Sequence, residues 1–231
     1  MGDEKRPFLG HLEEFRKRIL FSLAGIIALS ALSYIYAEKI LRGLAKYSTP
    51  LVFISPEEAF LSYLKVSLFG GLVLSAPLVL FNILKFTWVA LNKKEKNAFI
   101  TYLLLSIFFF AAGALFSYYV ALPAAMGFLL SFSSDFVTPY ISVSRYISFC
   151  IFFILAFAVA FETPLFVVFL TKLKLVDSRL LRKKRKYAIV LLFIVAAVLT
   201  PPDVITQILL AVPLMVLYEI SIIFARIAEK G

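Results

Sequence analysis

Between Arg145 and Lys172 lies a run of 26 residues, YISFCIFFILAFAVAFETPLFVVFLT, in which Glu162 is the only side chain charged at neutral pH. About 20 consecutive apolar residues in a helix cross a hydrocarbon core of about 30 Å, so this run reads as a membrane-spanning helix. A carboxylate inside such a helix costs on the order of 2.5 to 3.5 kcal/mol to insert, and it therefore faces protein or trapped water. Two readings of Glu162 follow. It is a functional group by default, or it is a protonated acid bonded to a neighbouring helix or to carbonyls freed where Pro164 removes a helical hydrogen bond.

The same character extends along the chain. Of its 231 residues, 62% are hydrophobic, more than a soluble domain of this size can bury, which predicts a polytopic membrane protein. A net charge of +10 would suit nucleic acid, but basic residues gathered on cytoplasmic loops account for it, so no nucleic-acid partner is expected. Cys150 is the one cysteine; it excludes an intrachain disulfide and reads as a small buried hydrophobe. The start, MGDEKRPFLG, has no short apolar core followed by small residues, so no removable signal peptide is expected and the first span stays in the membrane.

Six spans are expected in a single membrane domain, 1–231, that is all-α. The first covers 19–37. A polar segment with one amphipathic turn near 40–44 leads to Ser55-Pro56-Glu57-Glu58, a helix start with Ser as cap, Pro at the first position and Glu three residues after the cap. The second span then runs to about Leu91, with Gly70, Gly71 and Pro77 as breakers and a bend near Pro77. The third covers 98–122 and is stopped by Pro123; the fourth is the Glu162 run, capped by Ser142 or Ser144. Asp177-Ser178 caps a further helix, and the last spans are 187–199 and 204–224. Both look short. Thirteen apolar residues make about 20 Å, and the eleven between Gln207 and Glu219 about 17 Å. Local bilayer thinning, wet cavities or neighbouring subunits would accommodate that mismatch.

Orientation follows from charge. Of the 24 Lys and Arg residues, 18 fall in the N-terminus, the 92–97 turn, the 172–186 loop and the C-terminus. Lys39, Arg42, Lys46 and Arg145 fall on the other side, with Lys65 and Lys85 inside the second helix. The positive-inside rule places both termini in the cytoplasm, with the chain in the inner (cytoplasmic) membrane.

His11 is the only histidine, so neither a His-x-x-x-His zinc pair nor a Ser-His or Cys-His catalytic set can be built. Gly70-Gly71 is no phosphate loop, since it lacks the lysine and lies in an apolar helix. No enzyme activity, metal or cofactor is expected. What remains is charge pattern. Glu14 sits beside Arg16, Lys17 and Arg18, with Arg18 four residues on along one helix face, and Glu95 lies between Lys94 and Lys96. These are either solvated charge balance, or two carboxylates aimed at a cationic ligand while the basic residues address acidic lipid or partners.

The segments HLEEFRKRI, SPEE, FAVAFETPLFV and above all RKYAIVLLFIVAAVLTPPDVITQILLAVPLMVLYE resemble the TatC family, the multi-span receptor subunit of the twin-arginine protein translocase. The resemblance covers nearly the whole chain, in order. It implies a concave bundle that binds twin-arginine signal peptides of folded precursors through Glu14 and Glu95, with Arg16 and Phe86 on motif positions of the same face. It implies that Glu162 is the family's acidic position in the fourth span, and that Pro77, Asp203, Gln207 and Glu219 fall on structural or partner motifs. It also implies small single-span partners of the TatA/TatB kind, in a homo- or hetero-oligomer within membrane lipid. Where the family has Pro-Gly-Leu or Pro-Ala-Leu before the loop acid, this chain has Val89-Ala90-Leu91. The alternative from another class is a secondary transporter using Glu162 as a proton or cation site. That reading expects related halves, and 1–115 and 116–231 share no visible repeat.

Overall fold

Helices that are apolar on every side either pack on one another or meet lipid, and this chain is built almost wholly from them. The computed structural model describes residues 5–48, 50–87, 99–134, 136, 138–199 and 203–229. In chain order come α1 (Lys5–Tyr34), α2 (Ala37–Ala45), β1 (Leu51–Val52), α3 (Pro56–Thr87) and α4 (Phe99–Phe116). A π turn, Ser117–Ala121, leads into α5 (Leu122–Leu130) and β2 (Ile141–Ser142). Then follow α6 (Val143–Ala160), α7 (Thr163–Lys172), α8 (Ser178–Lys183), α9 (Arg185–Leu199) and α10 (Val204–Ala228). β1 and β2 pair in parallel as a two-residue bridge, Leu51 opposite Ile141.

Four helical stretches are long and apolar enough to cross a membrane: Pro56–Phe86, Phe99–Leu130, Val143–Lys172 and Val204–Ala228. Glu13–Tyr34 and Ala37–Ala45 make a fifth if that pair, bent by 80°, is counted as one span. Large apolar side chains such as Leu20, Ile27, Ile100, Phe108, Phe152 and Val198 point outward, the surface lipid would wet.

α6 is the centre of the packing. Its Ile147, Cys150, Phe153, Phe157 and Ala158 are fully buried, and α2, α3, α4, α5 and α9 all lie against it. Burial from lipid into protein supplies little hydrophobic driving force, so close fit and interhelical hydrogen bonds have to hold such a bundle. Two glycines provide the fit. A Cβ on Gly71 would stand 2.5 Å from the Ser30 backbone of α1, and one on Gly113 would stand 2.6 Å from the Phe157 carbonyl of α6. Gly71 therefore lets α1 lie against α3, and Gly113 lets α4 lie against α6.

One end of the bundle, the basic end, gathers the start of α1, the end of α3, the start of α4 and the end of α10. The other is closed by α2, the β bridge and their loops. At this cap end the Tyr118 hydroxyl donates to the Gly43 carbonyl (2.9 Å) and the Tyr146 hydroxyl to the Leu44 carbonyl (2.7 Å), pinning the end of α2. Glu58 accepts from the Ile54 N–H (3.1 Å) and from the Ser142 hydroxyl (3.0 Å), joining the two outer loops.

The structure alters several expectations. The first helix ends at Tyr34, and the expected amphipathic turn is a full helix, α2, set across it. α3 runs unbroken through Gly70, Gly71 and Pro77; the glycines act as contact points instead of breakers. Glu58 reaches back to Ile54 and not to the cap residue. Pro123 does not stop the third helix, because the π turn ahead of it absorbs the lost hydrogen bond and α5 continues to Leu130. α9 is short, 15 residues or about 22 Å. α10 is not: it has 25 residues, because Gln207 and Glu219 lie within the helix and do not end it. The 92–97 turn and Thr200-Pro201-Pro202 lie outside the described residues.

Candidate functional site

At the basic end, α1 and α3 are tied side by side. The Phe15 and Phe86 rings stand 5.1 Å apart between centroids, and Asn82 Nδ2 donates to the Ser22 hydroxyl at 3.1 Å. Beside these contacts opens a cavity of about 360 Å³ lined by Glu14, Lys17, Arg18, Phe21, Asn82 and Lys85. The spacing of Glu14 and Arg18 does what the sequence implied. Arg18 donates Nε–H (3.1 Å) and Nη2–H to Glu14 Oε1. Lys85 Nζ sits 5.3 Å from the Phe81 ring centroid. Arg16 is exposed on α1. Glu95 lies outside the described residues, in the segment 88–98 that links α3 to α4. The helices on either side of it are in contact, the Phe81 ring of α3 standing 5.7 Å from the Phe99 ring that opens α4.

Glu162 occupies the break between α6 and α7. Pro164 opens the first turn of α7, so the helix loses a hydrogen bond there and the carboxylate is set at a corner. The Ser106 hydroxyl of α4 donates to Glu162 Oε2 at 2.7 Å, while Oε1 is buried and meets no hydrogen-bond donor among the described residues. The pair lines an apolar cavity of about 380 Å³ together with Ile26, Ala76, Leu80 and Phe110. A second apolar cavity of about 590 Å³ continues toward the cap end, lined by Ser33, Phe69, Leu74, Leu115 and Tyr118 among others. Together they make α1, α3, α4 and the α6–α7 corner a concave apolar wall with one acid in it.

Of the remaining candidates, Gln207 and Glu219 hold α9 to α10. Asp203 caps α10, its Oδ1 accepting from the Thr206 N–H at 2.7 Å and its Oδ2 from the Thr206 hydroxyl. Gln207 Nε2 donates to the Phe193 carbonyl of α9 at 3.0 Å, and Arg185 Nη2 meets Glu219 Oε2 at 2.5 Å. Pro77 faces outward from α3. The three groups are thus in different places: Glu14 and Phe86 at the basic end, Glu162 in the wall, and Asp203, Gln207 and Glu219 on the far helices. Sequence reasoning missed Ser106 and Asn82. It also missed the partners of Lys65, whose Nζ donates to the Ser144 (2.6 Å) and Ser148 (2.9 Å) hydroxyls of α6. The available signal was a lone polar residue in an apolar helix, which seeks a partner.

Fold and site define a multi-pass helical membrane protein with an acid-bearing concave wall and a charged pocket at one end. A family model for Sec-independent protein translocase protein (TatC) matches residues 10–213. The TatC protein of Desulforapulum autotrophicum is 39% identical over 99% of this chain and 87% of its own length, and that of Carboxydothermus hydrogenoformans 38% over 98% and 95%. A crystal structure of the twin-arginine translocase receptor TatC superposes with a TM-score of 0.87 at 38% identity, covering 94% of this chain and 99% of that one. The chain belongs to the TatC family, a family of protein translocase components and not of enzymes.

Proposed function

We propose that this protein is the receptor subunit of a twin-arginine translocase, binding the signal peptides of folded precursors at its basic end. The observation that carries this reading is Glu14, a carboxylate at a pocket mouth that already accepts two N–H bonds from a guanidinium. Glu95, in the segment that follows α3 in the chain, is assigned as the second carboxylate; Phe86, which packs on Phe15, and Arg16, exposed on α1, are assigned to peptide binding with it. The family's solved relative being a twin-arginine translocase receptor supports the same reading.

In this reading the chain is a single six-span domain: α1, α3, α4–α5, α6–α7, α9 and α10. The basic end, where most of its Lys and Arg residues lie, faces the cytoplasm with both termini, and the protein sits in the cytoplasmic membrane. The concave wall with Glu162, and the α9–α10 pair with Asp203, Gln207 and Glu219, receive single-span partners of the TatA/TatB type in an oligomer. The test is binding of a twin-arginine peptide against its twin-lysine variant to the purified full chain in detergent. Equal affinity for the two peptides would remove the reading.

A further inference from the structure

The Glu14 carboxylate is not held open. Arg18, one turn along α1, bonds its Oε1 through Nε–H and Nη2–H. Arg18 is the inner member of the pair, 16% exposed against 38% for Glu14. Its guanidinium is therefore turned in toward α3, whereas in most exposed i,i+4 pairs both groups sit in water and contribute little. Among the described lining residues, three cations (Lys17, Arg18 and Lys85) share the cavity with one carboxylate. A doubly cationic peptide is not drawn there by the sum of these charges. It gains hold by exchange, its own guanidinium replacing one already in place.

We propose that Arg18 is a positioning residue that tunes the receptor's affinity: it occupies Glu14 in the resting protein as an internal substitute for the signal's arginine. This inference rests on reading Glu14 as the peptide-binding carboxylate. The internal guanidinium keeps the carboxylate ordered and aimed at the pocket. It also competes with the ligand, so a signal peptide is held less tightly than it would be without Arg18. A competitor of this kind weakens every ligand of Glu14 by the same factor. The preference for arginine over lysine therefore stays with the fork geometry of the ligand itself.

The experiment measures affinities of the purified full chain for twin-arginine and twin-lysine peptides. Arg18→Gln should tighten both by about fivefold, the effect of losing one partly buried ion pair, with their ratio unchanged. Arg18→Lys, which keeps the charge and loses the fork, should tighten both about twofold, and it serves as the test should the Gln variant fail to fold. In a Glu14→Gln background Arg18→Gln should have no effect, since it acts through the carboxylate. Lys17→Gln removes the same charge from the same cavity without touching Glu14, and should change affinity by less than half as much. Weaker or unchanged binding in the Arg18 variants overturns the proposal, as does an equal gain from Lys17→Gln. If Glu14→Gln alone leaves peptide binding intact, the receptor reading falls and takes this one with it. If Glu14→Gln weakens binding and Arg18→Gln does not tighten it, only the present inference falls.

Discussion

The Ser106 hydroxyl of α4 donates to the Glu162 carboxylate across the α6–α7 corner at 2.7 Å, joining residues 56 apart in sequence. The bond sets where the acid points. Glu162→Gln keeps a carbonyl oxygen for Ser106, so the variant should fold and retain most transport. Glu162→Leu fits the apolar wall but offers nothing polar to a partner, and should keep its fold while losing export of a twin-arginine reporter. Ser106→Ala should lower stability by about 1 to 3 kcal/mol, the usual cost of a buried acceptor left unpaired. Thermal unfolding in detergent and an export assay measure the two effects. Wild-type export by the Leu variant would leave Glu162 with a structural role only.

Helix contact at Gly71 sets a second expectation. An added methyl meets the Ser30 backbone at 2.5 Å, and backbone cannot turn aside, whereas at Gly127 nothing stands within 4 Å. Gly71→Ala should cost roughly 1 to 3 kcal/mol by overpacking, and Gly127→Ala should cost nothing measurable. Melting temperatures of the two purified variants decide it; equal values would mean α1 and α3 are not closely held.

The proposed recognition pocket sets a third. Adjacent arginines on an extended peptide point in different directions, so two separate carboxylates serve them better than one. Each charge-assisted bond contributes about 1.5 to 3 kcal/mol, so Glu14→Ala and Glu95→Ala should each weaken twin-arginine peptide binding roughly tenfold or more. Glu13, exposed on α1 and not among the residues lining the pocket, should matter less. Fluorescence anisotropy with a labelled peptide compares the three; equal damage at Glu13 would refute the assignment.

The short α9 sets a fourth. At 15 residues it reaches about 22 Å against a hydrocarbon core of about 30 Å. Lipid beside α9 should therefore be thinner than lipid beside the 32-residue Phe99–Leu130 stretch. Spin labels placed at equal depth beside α9 and α4 report it through accessibility to oxygen and to a water-soluble relaxant. Identical profiles would mean that α9 tilts or is covered by a neighbour.

Much of this was legible in the residues alone. Asp177 caps its helix, accepting from the Leu180 N–H, and Ser142, one of the two serines the sequence offered, caps α6; that Asp203 caps α10 came only from the structure. Glu14 pairs with Arg18 as an i,i+4 spacing requires. Such contacts lie within four residues, where backbone geometry alone sets who can touch. The membrane class was equally plain, because the lengths of the apolar runs are set by the thickness of the bilayer and by no feature of the fold.

The longer contacts were not legible. That Gly71 meets Ser30, that Pro123 is carried past by a π turn, that α2 lies across α1, and that Glu162 finds Ser106 all depend on which helix lies beside which. Apolar helices in lipid have no water to drive them together. Their neighbours are chosen by shape and by a few polar pairs, and an apolar run reads the same whichever neighbour it meets. The sequence by itself determined that this chain enters a membrane, where its helices are capped and which carboxylates stand among cations. Only the tertiary structure decided which surfaces close on one another, because that choice is made by close packing between residues far apart along the chain.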